Sequence, residues 1–175
     1  MRLLILLVIL PTLAWSQTSP RFAKYPIGDS GFSIYLPSIP HDNTASWSPD
    51  SSRVYTIESS DISTGTPFRF SAIVINLKDK SGMSEELVLS YLEYLKQSYK
   101  VISSAGVGKG HELSTHSSAK GLVDFWKSED GTEWQVVSWY DAECIVVQFV
   151  YGDKKLENES VWQVFKNGIR FPGDK

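Results

Sequence analysis

Three apolar segments in the second half of the chain are separated by connections that are too short for a crossover. Lys120–Lys127 leads into Thr132–Tyr140 through a turn with Asp130-Gly131 at its tip, and Cys144–Tyr151 follows after three residues. Asp-Gly favours a hairpin turn, whereas parallel neighbours need a connection of about a dozen residues. The spacing therefore predicts a three-stranded antiparallel meander, and the rest of the fold must be compatible with it.

Alternation of apolar and polar side chains predicts further strands before the meander. These strands are Phe22–Ile27, Phe32–Leu36, Arg53–Glu58 and Pro67–Leu77. The stretch 38–50 is predicted to be a loop, with a short strand around Trp47 as the alternative. A strand could also begin at Val101, but glycines at 106, 108 and 110 interrupt the pattern and leave residues 101–117 without a definite assignment.

Two amphipathic helices complete the pattern. Ser84 is predicted to cap a helix from Glu85 to about Tyr99, in which apolar residues recur at three- and four-residue spacing. A second helix is predicted from about Asn158 to Asn167, with Asn167-Gly168 as its C-cap. Strand runs without alternating strand–helix units indicate a single α+β domain. We expect an antiparallel sheet of about six or seven strands, with both main helices packed on one of its faces.

The first sixteen residues have the order of a cleavable signal peptide. Arg2 supplies a positive start, an apolar run covers Leu3–Leu10, and Ala14-Trp15-Ser16 presents small residues at a cleavage site. The apolar run is too short to span a bilayer, which takes about 20 residues. Residues 1–16 are therefore predicted to be removed on export. We expect residues 17–175 to be periplasmic or secreted, with no membrane span after cleavage.

Charge and cysteine content exclude several classes of function. The chain has a net charge of −3, and its acidic and basic residues are interspersed. Because its basic residues do not cluster in a stripe, the sequence does not predict a surface that binds nucleic acid. Cys144 is the single cysteine, so it cannot form an internal disulfide. Its position at the start of an apolar strand predicts a buried and inert thiol rather than a nucleophile.

The glycine-rich stretch and the histidines invite ligand-binding interpretations. The sequence around Lys109 does not match a phosphate-binding loop, which requires G-x-x-x-x-G-K-[ST], because His111 follows Gly110. His111 and His116, joined by His41 if its loop folds nearby, are residue types that bind zinc or copper. Their setting in polar loops favours solvent-exposed histidines instead. The sequence therefore predicts no metal and no cofactor.

Aromatic residues make up 13% of the chain, and most of them alternate along predicted strands, which places them in the core. Trp126 and Trp134 flank the Asp130-Gly131 turn and are predicted to be cross-strand neighbours. The candidates for an interaction surface instead lie in or beside loops. They are Tyr35, Trp47, His41, His111 and His116.

Several segments carry a resemblance to a known family. GFSIYLPSIP (31–40) comes first, a helix follows the long strand, FWKSEDGTEWQVVSWY (125–140) forms a glycine-tipped hairpin, and a second helix precedes the terminal IRF (169–171). This order resembles the PsbP-like superfamily, including the DcrB-like bacterial exported proteins, over nearly all of residues 17–175. The resemblance implies an antiparallel sheet of about six or seven strands with helices packed against it. It also implies accessory, scaffolding or protein-binding roles rather than catalysis.

Three functions are compatible with these patterns. The first is a non-enzymatic exported accessory or protein-binding domain, whose partner would be another exported or envelope protein. The second is a small-ligand module that holds an apolar or carbohydrate ligand against aromatic side chains. The third is a metal-dependent enzyme that uses His111 and His116. No serine lies in a G-x-S-x-G elbow, and the sequence favours the first function.

Overall fold

The computed structural model describes residues 21–61 and 67–174, and the predicted signal peptide lies outside the described residues. The described chain forms an α+β domain with antiparallel strand pairing, which confirms the predicted fold class. In chain order its elements are β1 (Ala23–Pro26), β2 (Ser33–Leu36), β3 (Asp42–Trp47), β4 (Arg53–Asp61), β5 (Phe68–Asn76), α1 (Glu85–Ser98), β6 (Val101–Ser104), β7 (Gly108–Glu112), β8 (Lys120–Ser128), β9 (Glu133–Tyr140), β10 (Cys144–Gly152), α2 (Glu159–Lys166) and β11 (Ile169–Arg170).

The main sheet contains the predicted meander at its centre and has eight strands. Its order is β3-β4-β5-β10-β9-β8-β6, and β7 also pairs with β8. Trp126 and Trp134 lie directly opposite each other across the β8–β9 hairpin, as predicted. The prediction of six or seven strands was too low because β6 and β7 lie in the unassigned stretch 101–117, and β3 lies in the stretch 38–50 that was predicted to be mainly loop. All three strands are short and largely exposed, so they lack the apolar alternation by which a strand is recognised in sequence.

A second, smaller sheet has the order β1-β2-β11. It joins the two ends of the described chain, because Ile169 of β11 pairs with Ile34 of β2. Ile34, Leu36 and Ile169 are fully buried in the same core as residues of the main sheet. The small sheet therefore packs on a face of the main sheet and shares its core, and it is not a separate unit.

The two helices cover opposite faces of the main sheet, so the expectation that both lie on one face was wrong. Residues of α1 pack with Ile73 and Val147, while residues of α2 pack with Val74 and Val146. Adjacent residues of a strand point to opposite faces. Because β5 and β10 bury nearly every residue, both of their faces need a cover. We name these faces the α1 face and the α2 face; the small sheet lies on the α2 face.

Both helices begin and end where the sequence predicts. The Ser84 side chain accepts a hydrogen bond from the Leu87 amide at the start of α1, and Asn158 does the same for the Val161 amide at the start of α2. Tyr99 and Asn167 are the C-caps. Within the described residues, neither helix has the length and apolar character needed to cross a bilayer.

Candidate functional site

The three histidines of the candidate surface lie in different surroundings. His41 Nε2 lies 3.0 Å from Glu58 Oε1, at the β3 edge of the main sheet. His111 is on β7, at the opposite edge, with five strands between them. At about 4.8 Å per strand, this separates the two residues by roughly 30 Å. Among residues 21–61 and 67–174, no group of three or more histidine, cysteine or acidic side chains is placed to hold a metal ion.

His116 fastens the C-terminal segment to the main sheet. Its ring stacks on Phe171 at a centroid distance of 4.2 Å. Nδ1 lies 3.1 Å from Asp174 Oδ1, and Nε2 lies 3.4 Å from Asp141 Oδ2 in the β9–β10 turn. Both ring nitrogens and one ring face are thus engaged within the protein. Through these contacts His116 holds the C-terminal segment in place, so its role is structural and its ring is not a free surface group.

A cavity of about 440 Å³ lies beside His116, and Cys144 lines it together with Lys80. The Cys144 thiol is buried and donates to Asp141 Oδ1 at 3.4 Å. Burial, and then the negative charge of Asp141, raise the pKa of this thiol far above its usual range. A thiolate is the reactive form of cysteine, so this environment disfavours nucleophilic chemistry. The thiol is buried as the sequence predicts.

Trp47 lies at the end of β3, the outermost strand on one side of the main sheet. Its side chain is 67% exposed. The guanidinium of Arg53, directly opposite on β4, lies 4.7 Å from the Trp47 ring and 5.5 Å from the Tyr55 ring. This cation–π arrangement holds an exposed aromatic ring at the sheet edge.

Tyr35 is held by different elements from Trp47. It lies in β2 of the small sheet, where its amide donates to the Gly168 carbonyl and the Arg170 guanidinium lies 5.2 Å from its ring. Tyr35 is half-buried, so it contributes mainly to the attachment of β2 to the C-terminal segment. Of the five candidate residues, Trp47 is the one with a large exposed apolar surface.

A groove of about 410 Å³ opens on the α2 face between α2 and the β6–β7 edge. Val123 and Phe125 of β8, Gln135 of β9 and Trp162 of α2 contribute to its lining. Lys155 and Lys166 lie in the same lining. Sequence reasoning did not select these residues because the lining as a whole is assembled from four separate segments, 105–111, 123–125, 135 and 155–166. The one local signal is Gln135 itself, a polar residue inside the apolar strand EWQVVSWY.

The electrostatics of this groove are set by lysines and by a neutral imidazole. Burial, and then the charge of Lys166, lower the pKa of His111, so its ring is neutral at pH 7. Lys155 Nζ lies 4.9 Å from the centre of the Phe125 ring. The carboxylate of Glu159 accepts a hydrogen bond from Gln163 Nε2 at 2.6 Å. The lining therefore carries two cations, Lys155 and Lys166, and one hydrogen-bonded carboxylate, Glu159, so its net charge is positive.

Comparisons with known proteins add no family to this description. The chain matches no protein-family model, and a search of curated proteins gives no match.

Proposed function

We propose that this protein is an exported, non-enzymatic accessory domain that binds another exported or envelope protein through the outer edge of β3. The observation that carries the proposal is the exposure of this strand. Among residues 21–61 and 67–174 it has a single neighbour, β4, and five of its six residues, Asn43–Trp47, are exposed. An edge strand offers main-chain N–H and C=O groups that a strand of a second protein can pair with.

The side chains of β3 leave this edge open to a partner. Proteins commonly protect exposed edges with lysine, proline or inward-pointing charges. β3 has the sequence DNTASW, in which Asp42, at the first position, is the single charged residue. Trp47 supplies an aromatic anchor at the other end, already oriented by Arg53. Aromatic residues held in place before binding are common hot spots of protein interfaces.

Two expectations from the sequence support the same function. The resemblance to the PsbP-like superfamily implies protein-binding roles. The predicted signal peptide implies that the partner shares the exported compartment with this chain. A strand-adding partner would also explain why the exposed tryptophan lies on the edge strand rather than on a helix.

The test is site-specific photo-crosslinking of the full-length protein in its source organism. A photoreactive residue replaces Ser46, beside Trp47, or Ser90 on the exposed side of α1 as the positional control. We expect one protein to crosslink from Ser46 and not from Ser90. Trp47→Ala should abolish this product, whereas Tyr94→Ala, which removes a similarly exposed ring from α1, should retain it.

Further outcomes of the same experiment distinguish the alternatives. A product of twice the monomer mass would identify a second copy of this chain as the occupant and contradict the proposal. The absence of any product, or a product insensitive to Trp47→Ala, would also contradict it. Once a partner is crosslinked, a peptide of its crosslinked segment should slow hydrogen exchange at β3 amides and leave β6 amides unchanged.

A further inference from the structure

The groove on the α2 face contains a buried hydrogen-bond acceptor with no partner. Gln135 is 3% exposed, and its Nε2 donates to the Leu156 carbonyl at 2.8 Å. This bond orients the carboxamide, and Oε1 has no hydrogen-bond partner among the described residues. Leaving a buried acceptor unpaired is unfavourable, and such groups are uncommon in folded proteins. Oε1 itself has almost no accessible surface, so a ligand that brings an N–H or O–H donor would satisfy it after a small movement of the side chains that cover it.

The other residues of the groove define what else a ligand must carry. Val123 and the partly exposed Phe125 supply an apolar wall next to Gln135, which is the direct cross-strand neighbour of Phe125. Lys155 and Lys166 supply two positive charges, and the neutral His111 does not oppose a negative group. A volume of about 410 Å³ falls within the range of small-molecule sites.

We propose that this groove binds a small carboxylic acid that bears an amide N–H or hydroxyl donor close to its carboxylate. The donor bonds to Gln135 Oε1, the apolar part lies against Phe125 and Val123, and the carboxylate is attracted by Lys166 and Lys155. Two kinds of molecule share this chemistry: N-acylated amino acids and sugar acids. The site lies at the opposite edge of the sheet from β3, so it does not depend on the partner proposed above.

The first test compares three probes by NMR with the full mature chain. N-acetyl-L-phenylalanine and glucuronate carry the required acid and donor, and N-acetyl-L-phenylalaninamide keeps the donor and ring but lacks the charge. We expect at least one acid, at concentrations up to about 10 mM, to shift the amide signals of Gly106 and Gly108 and the side-chain amide of Gln135. Which acid binds distinguishes the two sources. Equal binding of the neutral amide, or no shift with either acid, would overturn the proposal.

The second test uses three variants and the acid that binds. Lys166→Gln removes one charge of the groove and should weaken binding roughly five-fold. Gln135→Met removes the acceptor at similar side-chain length and should weaken binding roughly ten-fold. Lys127→Gln, which removes an exposed lysine paired with Glu133 outside the groove, is the matched control and should change affinity by less than about two-fold.

Each variant result bears on the proposal separately. Gln135→Met also removes the bond to the Leu156 carbonyl, so its thermal unfolding is measured first. If that variant does not fold, Lys166→Gln and the neutral probe still decide the outcome. Equal weakening by Lys127→Gln and Lys166→Gln would show general charge attraction and would overturn the assignment of this groove.

Discussion

The ammonium group of Lys96 lies 3.0 Å from the carboxylate of Asp124, and this contact joins α1 to β8. Asp124 is 1% exposed. Its carboxylate also accepts hydrogen bonds from Ser104 Oγ and Trp126 Nε1, both at 2.7 Å, and from the Phe125 amide at 2.8 Å. A buried carboxylate with these partners is fully engaged, so replacing either member of the pair breaks a buried ion pair, which is costly.

Asp124→Asn should lower the free energy of unfolding by about 3 kcal/mol, because the ammonium of Lys96 then loses its buried partner. Urea denaturation at pH 7 measures this change. Glu93→Gln is the matched control, since Glu93 also contacts Lys96, at 2.8 Å, but is itself exposed. This control should cost less than about 1 kcal/mol. Similar losses in both variants would contradict a special role of the buried contact.

The stability supplied by Asp124 should disappear in acid. Burial alone would raise the pKa of Asp124, but hydrogen bonds from Ser104, Trp126 and Lys96 outweigh burial and hold that pKa below its ordinary value. A lowered pKa in the folded state stabilises the fold at pH values above the ordinary carboxyl pKa of about 4, and this stabilisation is lost as pH falls through the folded value. The difference in unfolding free energy between wild type and Asp124→Asn should therefore shrink below about pH 4. A difference that stays constant from pH 7 to strongly acidic pH would contradict the assignment.

Cys144 should resist thiol reagents in the folded protein. Burial, followed by the charge of Asp141, raises its pKa, so the reactive thiolate is scarce at pH 8. Reaction with Ellman's reagent should be negligible under native conditions and should release one equivalent per chain after unfolding in guanidinium chloride. Complete reaction of the native protein at the rate of a free thiol would show that the thiol is accessible.

Gln148 and Trp139 should be essential for holding the C-terminal end of α2 against the sheet. Gln148 Nε2 donates to the Phe165 carbonyl at 2.7 Å, and Trp139 Nε1 donates to the Lys166 carbonyl at 3.1 Å and to Gln148 Oε1 at 2.9 Å. Gln148→Leu removes one hydrogen bond from the Phe165 carbonyl, which still accepts from the Gly168 amide at 3.0 Å, and it weakens the anchoring of Trp139. It should therefore cost roughly 1–3 kcal/mol and accelerate hydrogen exchange in α2. Gln97→Leu, on the exposed side of α1, is the control and should change stability by less than about 0.5 kcal/mol.

Gly121 should tolerate no side chain. A Cβ at this position would lie 2.4 Å from an atom of the Trp139 ring and 2.7 Å from the His111 Cβ. Gly121→Ala should therefore lower the melting temperature, with a cost of about 1–3 kcal/mol from overpacking. Gly82→Ala is the matched control, because no atom lies within 4 Å of the added Cβ. Equal melting temperatures for the two variants would contradict the close packing of Trp139 on β8.

Sequence patterns determined the elements whose signals are local. The Asp130-Gly131 turn and its flanking apolar runs predicted the β8–β9 hairpin, including the pairing of Trp126 with Trp134. Ser84 and Asn167 marked the limits of helices that the structure places at Glu85–Ser98 and Glu159–Lys166. Turns, caps and periodicity depend on residues a few positions apart, so they can be recognised without knowledge of the fold.

Tertiary structure alone decided which face each helix covers and which side chains meet. The contacts of Lys96 with Asp124 and of His116 with Asp174 join residues that are far apart in the chain, and no local pattern pairs them. The groove around Gln135 likewise depends on the path of four separate segments. The sequence of β10, apolar on both sides of Gln148, indicates burial on both faces, but not which cover lies on which side. Long-range packing determines which element covers each face of the sheet. It also leaves Trp47 exposed and Gln135 Oε1 without a hydrogen-bond partner among the described residues.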